Sequence, residues 1–345
     1  MSAPGERSAR VTMKDVARSA GVSLSTTSRA LSGSGYVAET VRIRVRRAAD
    51  ELGYVVDVTA RGLKQRSSLV IGVMVSDLRS SFYAEMASGA GRRARQAGYT
   101  MMLVEDGGNR LGELDAVNAL VGLRVAGVVL TPASDAAADF LRRRRVPVVE
   151  VDRVFGDGDA VLNDDRAAAR AATEHLLELG HRRIAFVMDE TEWSTARERH
   201  AGYVEALEAA GLVPEPSLVV TASSEAVTDD VRRLLASSAD PTAVLAVNSS
   251  IAERIWRAAA ELGVGLPDRL SLIAFDDARW MRIVEPGVTA VAQDAARLGA
   301  EAVSMLIERI SDPGREPVRV IVPAAIVIRG STAPPRAAGI PARTV

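Results

Sequence analysis

From Leu69 onward the chain repeats one pattern: a short apolar run, a stretch long enough for a helix, then another apolar run. The runs are LVIGVMV (69–75), TMMLVE (100–105), AGVVLT (126–131), PVVEV (147–151), RIAFVM (183–188), AVLAV (243–247) and LSLIAF (270–275). Apolar strands alternating with helices are the pattern of βαβ units in a parallel sheet. So many strands exceed one small sheet, and the pattern restarts near residue 160. Two similar doubly wound halves with a cleft between them are therefore predicted, and such sheets bind ligands outside the carboxyl ends of their strands. A chain of 345 residues, 48% hydrophobic and 25% charged, is long and apolar enough for two or three packed domains. It contains no cysteine, so disulfides, thiolate metal sites and thiol nucleophiles are excluded.

Before Leu69 the texture is different. Thr12 to Tyr54 reads as short helices, with Thr12 as N-cap and Asp15 three residues on. Met13, Val16, Ala17 and Ala20 follow helical spacing. Gly21-Val22-Ser23 breaks it, because glycine accepts the positive φ that closes a helix and Ser23 can cap the next one. A second helix runs to about Leu31, and a third from Ala38 to Leu52 turns Val41, Val45, Ala48, Ala49 and Leu52 inward. Helix, tight turn and helix in VTMKDVARSAGVSLSTTSRALSG (11–33) place Leu24, Ser25 and Arg29 on the outer face of the second helix, where Arg can grip a guanine edge and Leu24 can meet a thymine methyl. A plain helical hairpin would show the same spacing.

Charge separates the two readings. From Arg10 to Arg66 there are eleven Lys or Arg against five Asp or Glu, a local excess of +6 in a chain whose net charge is -1. A basic head on an acidic remainder fits a polyanion-binding module. DVTARGLKQRSS (57–68) is polar and basic around one large apolar residue, Leu63. It reads either as a tether or as a segment that becomes helical on DNA, with Leu63 as a minor-groove wedge and Arg61, Lys64 and Arg66 near phosphates. MSAPGERSAR lacks the apolar core of a secretory signal, and no stretch approaches the roughly 18 apolar residues that span a bilayer, so a cytoplasmic location is expected.

VTMKDVARSAGVSLSTTSRALSG, followed by LGY and LVIGVMVSDL, closely resembles the lactose/galactose repressor family of bacterial transcription regulators. Later landmarks follow in order: VPVVEVDR (146–153), HLLELGHRRIAFV (175–187), RERHAGYVEAL (197–207), LSLIAFDD (270–277), VTAVAQD (288–294) and IVIRGST (326–332). The resemblance implies an all-α helix-turn-helix head (10–56), a hinge (57–67), and a periplasmic-binding-protein-like body (68–333) of two doubly wound parallel-sheet subdomains. Their bounds would be about 68–165 with 292–322, and 166–291 with 323–333, before a disordered tail (334–345). It also implies a homodimer, or a tetramer, that binds a near-palindromic operator as a repressor and answers to a small-molecule effector, expected to be a carbohydrate.

Carried over by position, Leu24, Ser25 and Arg29 resemble base-reading residues, Leu63 the intercalating leucine with Ala60 beside it, and Thr12, Ser23, Thr26 and Tyr36 phosphate or positioning contacts. Effector contacts fall on Asp77, Phe82, Tyr83, Asp152, Arg199, Asn248, Asp276 and Gln293, with Arg153 and Asp164 as further candidates. An arginine with carboxylates and amides makes the forked hydrogen bonds that sugar hydroxyls need, and an aromatic ring can stack on the apolar sugar face. Trp193 and Trp280 could line the cleft or pack in the core. The chain departs from the family pattern at Thr27 (usually Val), Ser32 (usually Asn), Val56-Asp57 (usually an Asn/Pro pair), Ser249 (usually Asp), Ala126 and Ala274.

No metal or cofactor is expected: His175, His181 and His200 have no partner at metal-ligand spacing, and neither a nucleophile elbow nor a GxxxxGK loop is present. Two other functions share the body fold. A solute-binding protein would need export and no head. A sugar-acting enzyme could use Asp276-Asp277, but adjacent residues on an extended segment point to opposite sides.

Overall fold

A computed structural model of the protein describes residues 11–32, 35–54, 68–188, 193–221, 227–237 and 239–336. Ala60 and Leu63, with Asp57, Arg61, Lys64, Arg66 and the rest of the expected hinge, lie outside the described residues, as does the tail beyond Arg336. The chain divides into two units, one ending at Ser68 and the other beginning at Leu69.

Among the described residues, the first unit holds three helices, α1 (Met13–Ala20), α2 (Leu24–Ser32) and α3 (Glu39–Glu51). Asp15 Oδ2 accepts from the Thr12 amide (3.0 Å) and hydroxyl (2.6 Å), tying down the start of α1. Gly21 ends it at φ 62°, and the Val22 amide returns to the Ala17 carbonyl at 3.1 Å. Ser23 caps α2 by accepting from the Thr26 amide at 3.1 Å. Val16, Ala20, Ala30, Val37, Val45, Ala48 and Ala49 form the core. Thr27 is fully buried in this unit, and its hydroxyl donates to the Ser23 carbonyl at 3.1 Å, so the departure from valine costs no unpaired polar group. Leu52 departs from its expected inward place: it follows the last turn of α3 and is exposed.

The second unit contains two six-stranded sheets. The first is built from β1 (Val70–Val75), β2 (Thr100–Glu105), β3 (Val128–Leu130), β4 (Val148–Val151), β5 (Ala160–Asn163) and β11 (Arg319–Val322), in the order β11-β5-β4-β3-β1-β2, all parallel. The second is built from β6 (Ile184–Met188), β7 (Val219–Thr221), β8 (Ala243–Ala246), β9 (Ser271–Phe275), β10 (Thr289–Ala292) and β12 (Ala325–Val327), in the order β12-β10-β9-β8-β6-β7, with β12 alone antiparallel. All seven expected strands are present. The five others are three or four residues long, as β3, β4 and β8 are, but all five lie at or next to a sheet edge.

Connecting helices fix the two halves. Around the first sheet run α4 (Ser81–Gln96), α5 (Arg110–Gly122), α6 (Ala136–Arg143) and α12 (Ala295–Ser311); around the second run α7 (Asp165–Glu178), α8 (Ser194–Ala209), α9 (Val227–Ala236) and α10 (Ser249–Glu261), with a short α11 (Arg279–Ile283). The chain enters the second half through α7, returns to the first through α12 and β11, and ends in the second with β12. Where α4 crosses α12 the backbones touch: a Cβ on Gly89 would stand 1.9 Å from the Ala296 carbonyl oxygen, and one on Gly299 2.0 Å from that of Met86. Among the described residues, no helix is long and apolar enough to cross a membrane. Residues 334–336, assigned to the tail by sequence, are described, and Arg336 lies 3.7 Å from Asp268.

Candidate functional site

In the head, the exposed surface of α2 carries Leu24, Ser25 and Arg29. Ser23, Ser25 and Thr26 link through their hydroxyls at 2.9 and 2.8 Å, and Arg29 Nε donates to the Ser25 carbonyl at 3.4 Å, so the guanidinium is steered along its own helix. Tyr36 is 91% exposed. Thr12 is exposed at the start of α1. Hydroxyls, a guanidinium and two large apolar side chains thus stand on a basic surface without mutual burial, and the same groups contact base edges and phosphates in DNA-reading helices.

The body gathers a second, buried constellation. Asp152 follows β4 and Asp276 follows β9, both with φ in the left-handed region, at 67° and 63°. That conformation is strained for residues other than glycine and is concentrated at binding sites. Arg199, in the second turn of α8, is 7% exposed. Its Nε donates to Asp165 Oδ1 at 2.7 Å, its Nη1 to the Val247 carbonyl, and its plane lies 4.0 Å above the Phe275 ring. With its amide oriented to satisfy both ends, Gln293 donates to Asp276 Oδ1 (2.8 Å) and accepts from Asn163 Nδ2 (2.7 Å) and Arg199 Nη2 (3.1 Å). Asp276 Oδ2 accepts from the Ser249 amide at 3.1 Å.

On the side of the first sheet, Tyr83 donates to Asp152 Oδ2 at 3.2 Å and accepts from Arg153 Nη2 at 2.7 Å. Arg153 also donates to Ser76 Oγ at 3.4 Å and lies 3.4 Å over the Trp193 ring. The Val154 amide donates to Ser194 Oγ at 3.1 Å. Trp193 and Ser194 open α8, so these contacts join the strand ends of one sheet to a helix of the other. Trp280 packs instead against the second-sheet core, edge-on to Trp256 at 6.2 Å.

Burial governs the protonation of this cluster. It raises Asp152, with Arg153 and Arg199 opposing, and raises Asp276, with Arg199 and the Ser249 amide opposing. Asp165 is pushed up to about 7 by burial against the pull of Arg199. Burial also opposes the charge on Arg199, but Asp165, Asp276 and Asp152 outweigh it and keep the guanidinium protonated. A buried arginine, several carboxylates and two amides, fixed by contacts from five strand ends, can grip a polyhydroxylated molecule by bidentate hydrogen bonds.

Of the residues singled out by sequence, Tyr83, Asp152, Arg153, Arg199, Asp276 and Gln293 meet here. Phe82 touches Tyr83 edge-on at 5.2 Å and packs into the first-sheet core. Asp77 is half exposed and paired with Arg79 through two contacts of 3.0 Å. Asn248 Oδ1 accepts from the Ile251 amide at 2.8 Å and caps α10. Asp164 caps α7. Asp165 and Asn163 were missed, because an Asp-Asp pair opening a helix reads as capping chemistry. Asp277 bonds Arg329 (2.7 Å) and Arg282 (2.9 Å) while Asp276 faces the cluster, so the two do not form a catalytic carboxylate pair. The three histidines serve packing: His175 meets Thr332, His181 meets Thr242, Ser271 and the Ala333 carbonyl, and His200 lies edge-on to Phe186.

A separate open depression of about 600 Å³ lies between β7 and α9. Its charged groups are spent on neighbours, Arg183 on the Ala239 carbonyl and Glu215, and Arg233 on Asp230.

Comparison with known proteins finds relatives for both the head and the body. Residues 12–57 match the bacterial regulatory proteins of the lacI family, and residues 173–332 match the periplasmic binding protein-like domain. The ribose operon repressor of Escherichia coli (strain K12) is 31% identical, over 93% of this chain and 99% of its own. A Lac repressor dimer bound to operator and the anti-inducer ONPF superposes with a TM-score of 0.82 at 27% identity, over 94% of this chain and 100% of that one. The transcriptional regulator CelR in complex with cellobiose gives 0.71 at 29% identity, over 93% and 100%.

Proposed function

The chain belongs to the lacI family of bacterial regulatory proteins, and from that premise we propose that it binds a near-palindromic operator as a homodimer and changes its DNA affinity when a carbohydrate occupies the cleft of its body. It is a DNA-binding transcriptional regulator whose relatives are repressors rather than enzymes. The observation that carries the effector reading is the buried Arg199 network, which spends a guanidinium, two amides and three carboxylates on one enclosed spot between the two sheets. Buried ionic groups destabilise a body relative to apolar packing unless something else requires them. A sugar bound by a ribose-type or cellobiose-type relative would supply the missing hydroxyls.

On this reading Leu24, Ser25 and Arg29 read bases, Thr12, Ser23, Thr26 and Tyr36 position the head on phosphates, and Ala60 and Leu63 act at the operator centre. Tyr83, Asp152, Arg199, Asp276 and Gln293 hold the effector, with Phe82, Asp77 and Asn248 shaping its surroundings. The protein works in the cytoplasm, at the nucleoid. Selection of bound DNA from a random pool, with and without a panel of monosaccharides, tests the proposal. A palindromic site should emerge whose enrichment changes with one class of sugar. Failure to enrich any two-fold site would refute operator binding.

A further inference from the structure

Five buried side-chain polar atoms lack a hydrogen-bond partner among the described residues: Asp106 Oδ2, Thr131 Oγ1, Arg153 Nε, Asn163 Oδ1 and Arg42 Nε. Four of the five lie on one edge. Asp106 directly follows β2, Thr131 directly follows β3, Arg153 stands two residues after β4, and Asn163 ends β5. That edge is the carboxyl-end rim of the first sheet, where Arg153 and Asn163 already belong to the cluster around Arg199. All four residues are at least nine-tenths buried. A buried polar atom without a partner is costly, and in the order β5-β4-β3-β1-β2 the four are spread over about 19 Å of rim, with Thr131 and Arg153 in its middle and Asp106 at its β2 end, positions where a ligand on the rim can complete the bonds.

The buried charges on this rim and on the elements of the second half that face it, where Asp165 opens α7 and Asp276 follows β9, do not balance. Asp106, Asp152, Asp165 and Asp276 are buried carboxylates, and Arg153 and Arg199 are the buried guanidiniums that face them. Glu113 adds a further carboxylate beside Asp106, but it is closed on the Ala133 amide (2.9 Å) and the Ser134 hydroxyl (2.7 Å). A neutral ligand would leave the excess negative charge buried, which a low-dielectric site tolerates only by taking up protons. A ligand that carries its own positive charge would balance these carboxylates in place of the protons.

We propose that the effector is a cationic sugar, an aminosugar whose ammonium group is received by Asp106 Oδ2 and whose hydroxyls engage Thr131 Oγ1 and the Arg153 guanidinium. This rests on the carbohydrate reading of the same cleft and narrows it. Burial pushes Asp106 up to about 6 and Asp165 up to about 7, so near neutral pH a proton on Asp165 offsets part of the carboxylate excess while Asp106 is largely ionised. Acidification refills the carboxylates and weakens the ammonium's hold.

The test is calorimetric titration of the full-length protein with glucosamine, galactosamine and mannosamine, each against its neutral parent hexose, at about pH 7 and pH 5.5. A charge-assisted bond in a buried site makes at least one amine bind roughly tenfold tighter than its parent. That advantage should shrink at the lower pH, and Asp106→Asn should reduce the amine-to-parent ratio further, with thermal unfolding confirming that the variant is folded. The wild-type comparison needs no variant. A neutral hexose binding as tightly as its amine overturns the cationic effector while leaving the carbohydrate reading intact. If neither class binds, although the protein still selects a palindromic DNA site, both readings of the cleft fall and the regulator assignment stands.

Discussion

Replacing Asp165 by Asn should flatten the pH dependence of the body's stability. Burial raises this carboxyl from an ordinary 3.8 to about 7, with Arg199 opposing and Asp152 adding to the rise. A raised carboxylate stabilises the fold fully while it is protonated in both states, below about pH 4, and that contribution is lost as the pH climbs through the folded value. Each pKa unit corresponds to about 1.4 kcal/mol, so ionised Asp165 costs the folded body about 4 kcal/mol relative to the unfolded chain above neutrality. Between about pH 5 and pH 8 the part lost is about 2.5 kcal/mol. Asparagine removes the titration and leaves Arg199 a neutral partner, as the protonated carboxyl does at the acid end of the window. The cost of exchanging one neutral group for the other is constant across the window, because neither asparagine nor arginine titrates there. The slope rather than the absolute stability is therefore the readout. Trp193, Trp256 and Trp280 are the chain's three tryptophans and all lie in the body, so urea unfolding followed by tryptophan fluorescence reports this unit and is blind to the head. Parallel slopes for the two proteins would show that Asp165 does not titrate between about pH 5 and pH 8 and that burial does not raise it as argued.

Three further perturbations probe other parts of the molecule. Arg29→Ala should weaken binding to a selected operator by about 5- to 150-fold, the worth of one bidentate base contact, while affecting random DNA much less; equal losses in a mobility-shift assay would mean that this arginine does not read bases. Arg199→Lys keeps the charge but loses the fork, and effector affinity measured by calorimetry should fall roughly 30-fold or more with operator binding retained; unaltered affinity would place the effector elsewhere. Gly89→Ala forces a methyl into the Ala296 carbonyl where α4 crosses α12 and should lower body stability by about 1–3 kcal/mol in denaturant unfolding; an unchanged midpoint would mean that the crossing relaxes freely.

How much of the fold could be read from the residues depended on element length. LVIGVMV and LSLIAF are long enough, and buried enough on both faces, for composition alone to mark them as central strands. Strands such as Val219–Thr221 and Ala325–Val327 lie at sheet edges and are defined by their pairing to β6 and β10, which no local pattern encodes. The exchange of β11 and β12 between the two sheets is likewise non-local: Arg319–Val322 pairs with Ala160–Asn163, more than 150 residues earlier. In the head, by contrast, nearly everything was local. Thr12, Asp15, Gly21 and Ser23 fix the helix ends through bonds spanning a few residues, so their roles were legible before any coordinates.

The same distinction explains which site residues the sequence yielded. Asp77, Asn248, Asp152 and Asp276 all follow strands and look alike along the chain. Asp77 finds its partner two residues away and Asn248 three residues away, so each is closed by its own turn. Asp152 and Asp276 are met by Tyr83 and Ser249, 69 and 27 residues away in the chain, and their left-handed backbones hold the carboxyls toward those distant partners. Helix register makes the same division within Asp164-Asp165: the first takes the cap and the second, one residue on, is carried into the interior to Arg199, 34 residues away. Asp106 shares both characters: its Oδ1 is closed by its own turn, accepting from the Gly108 amide at 2.8 Å, and only its Oδ2 is left to the fold. On the aminosugar proposal, selection therefore rests on Asp106 and Asp165, whose buried carboxylates no local pattern in the chain distinguishes from ordinary turn and cap residues.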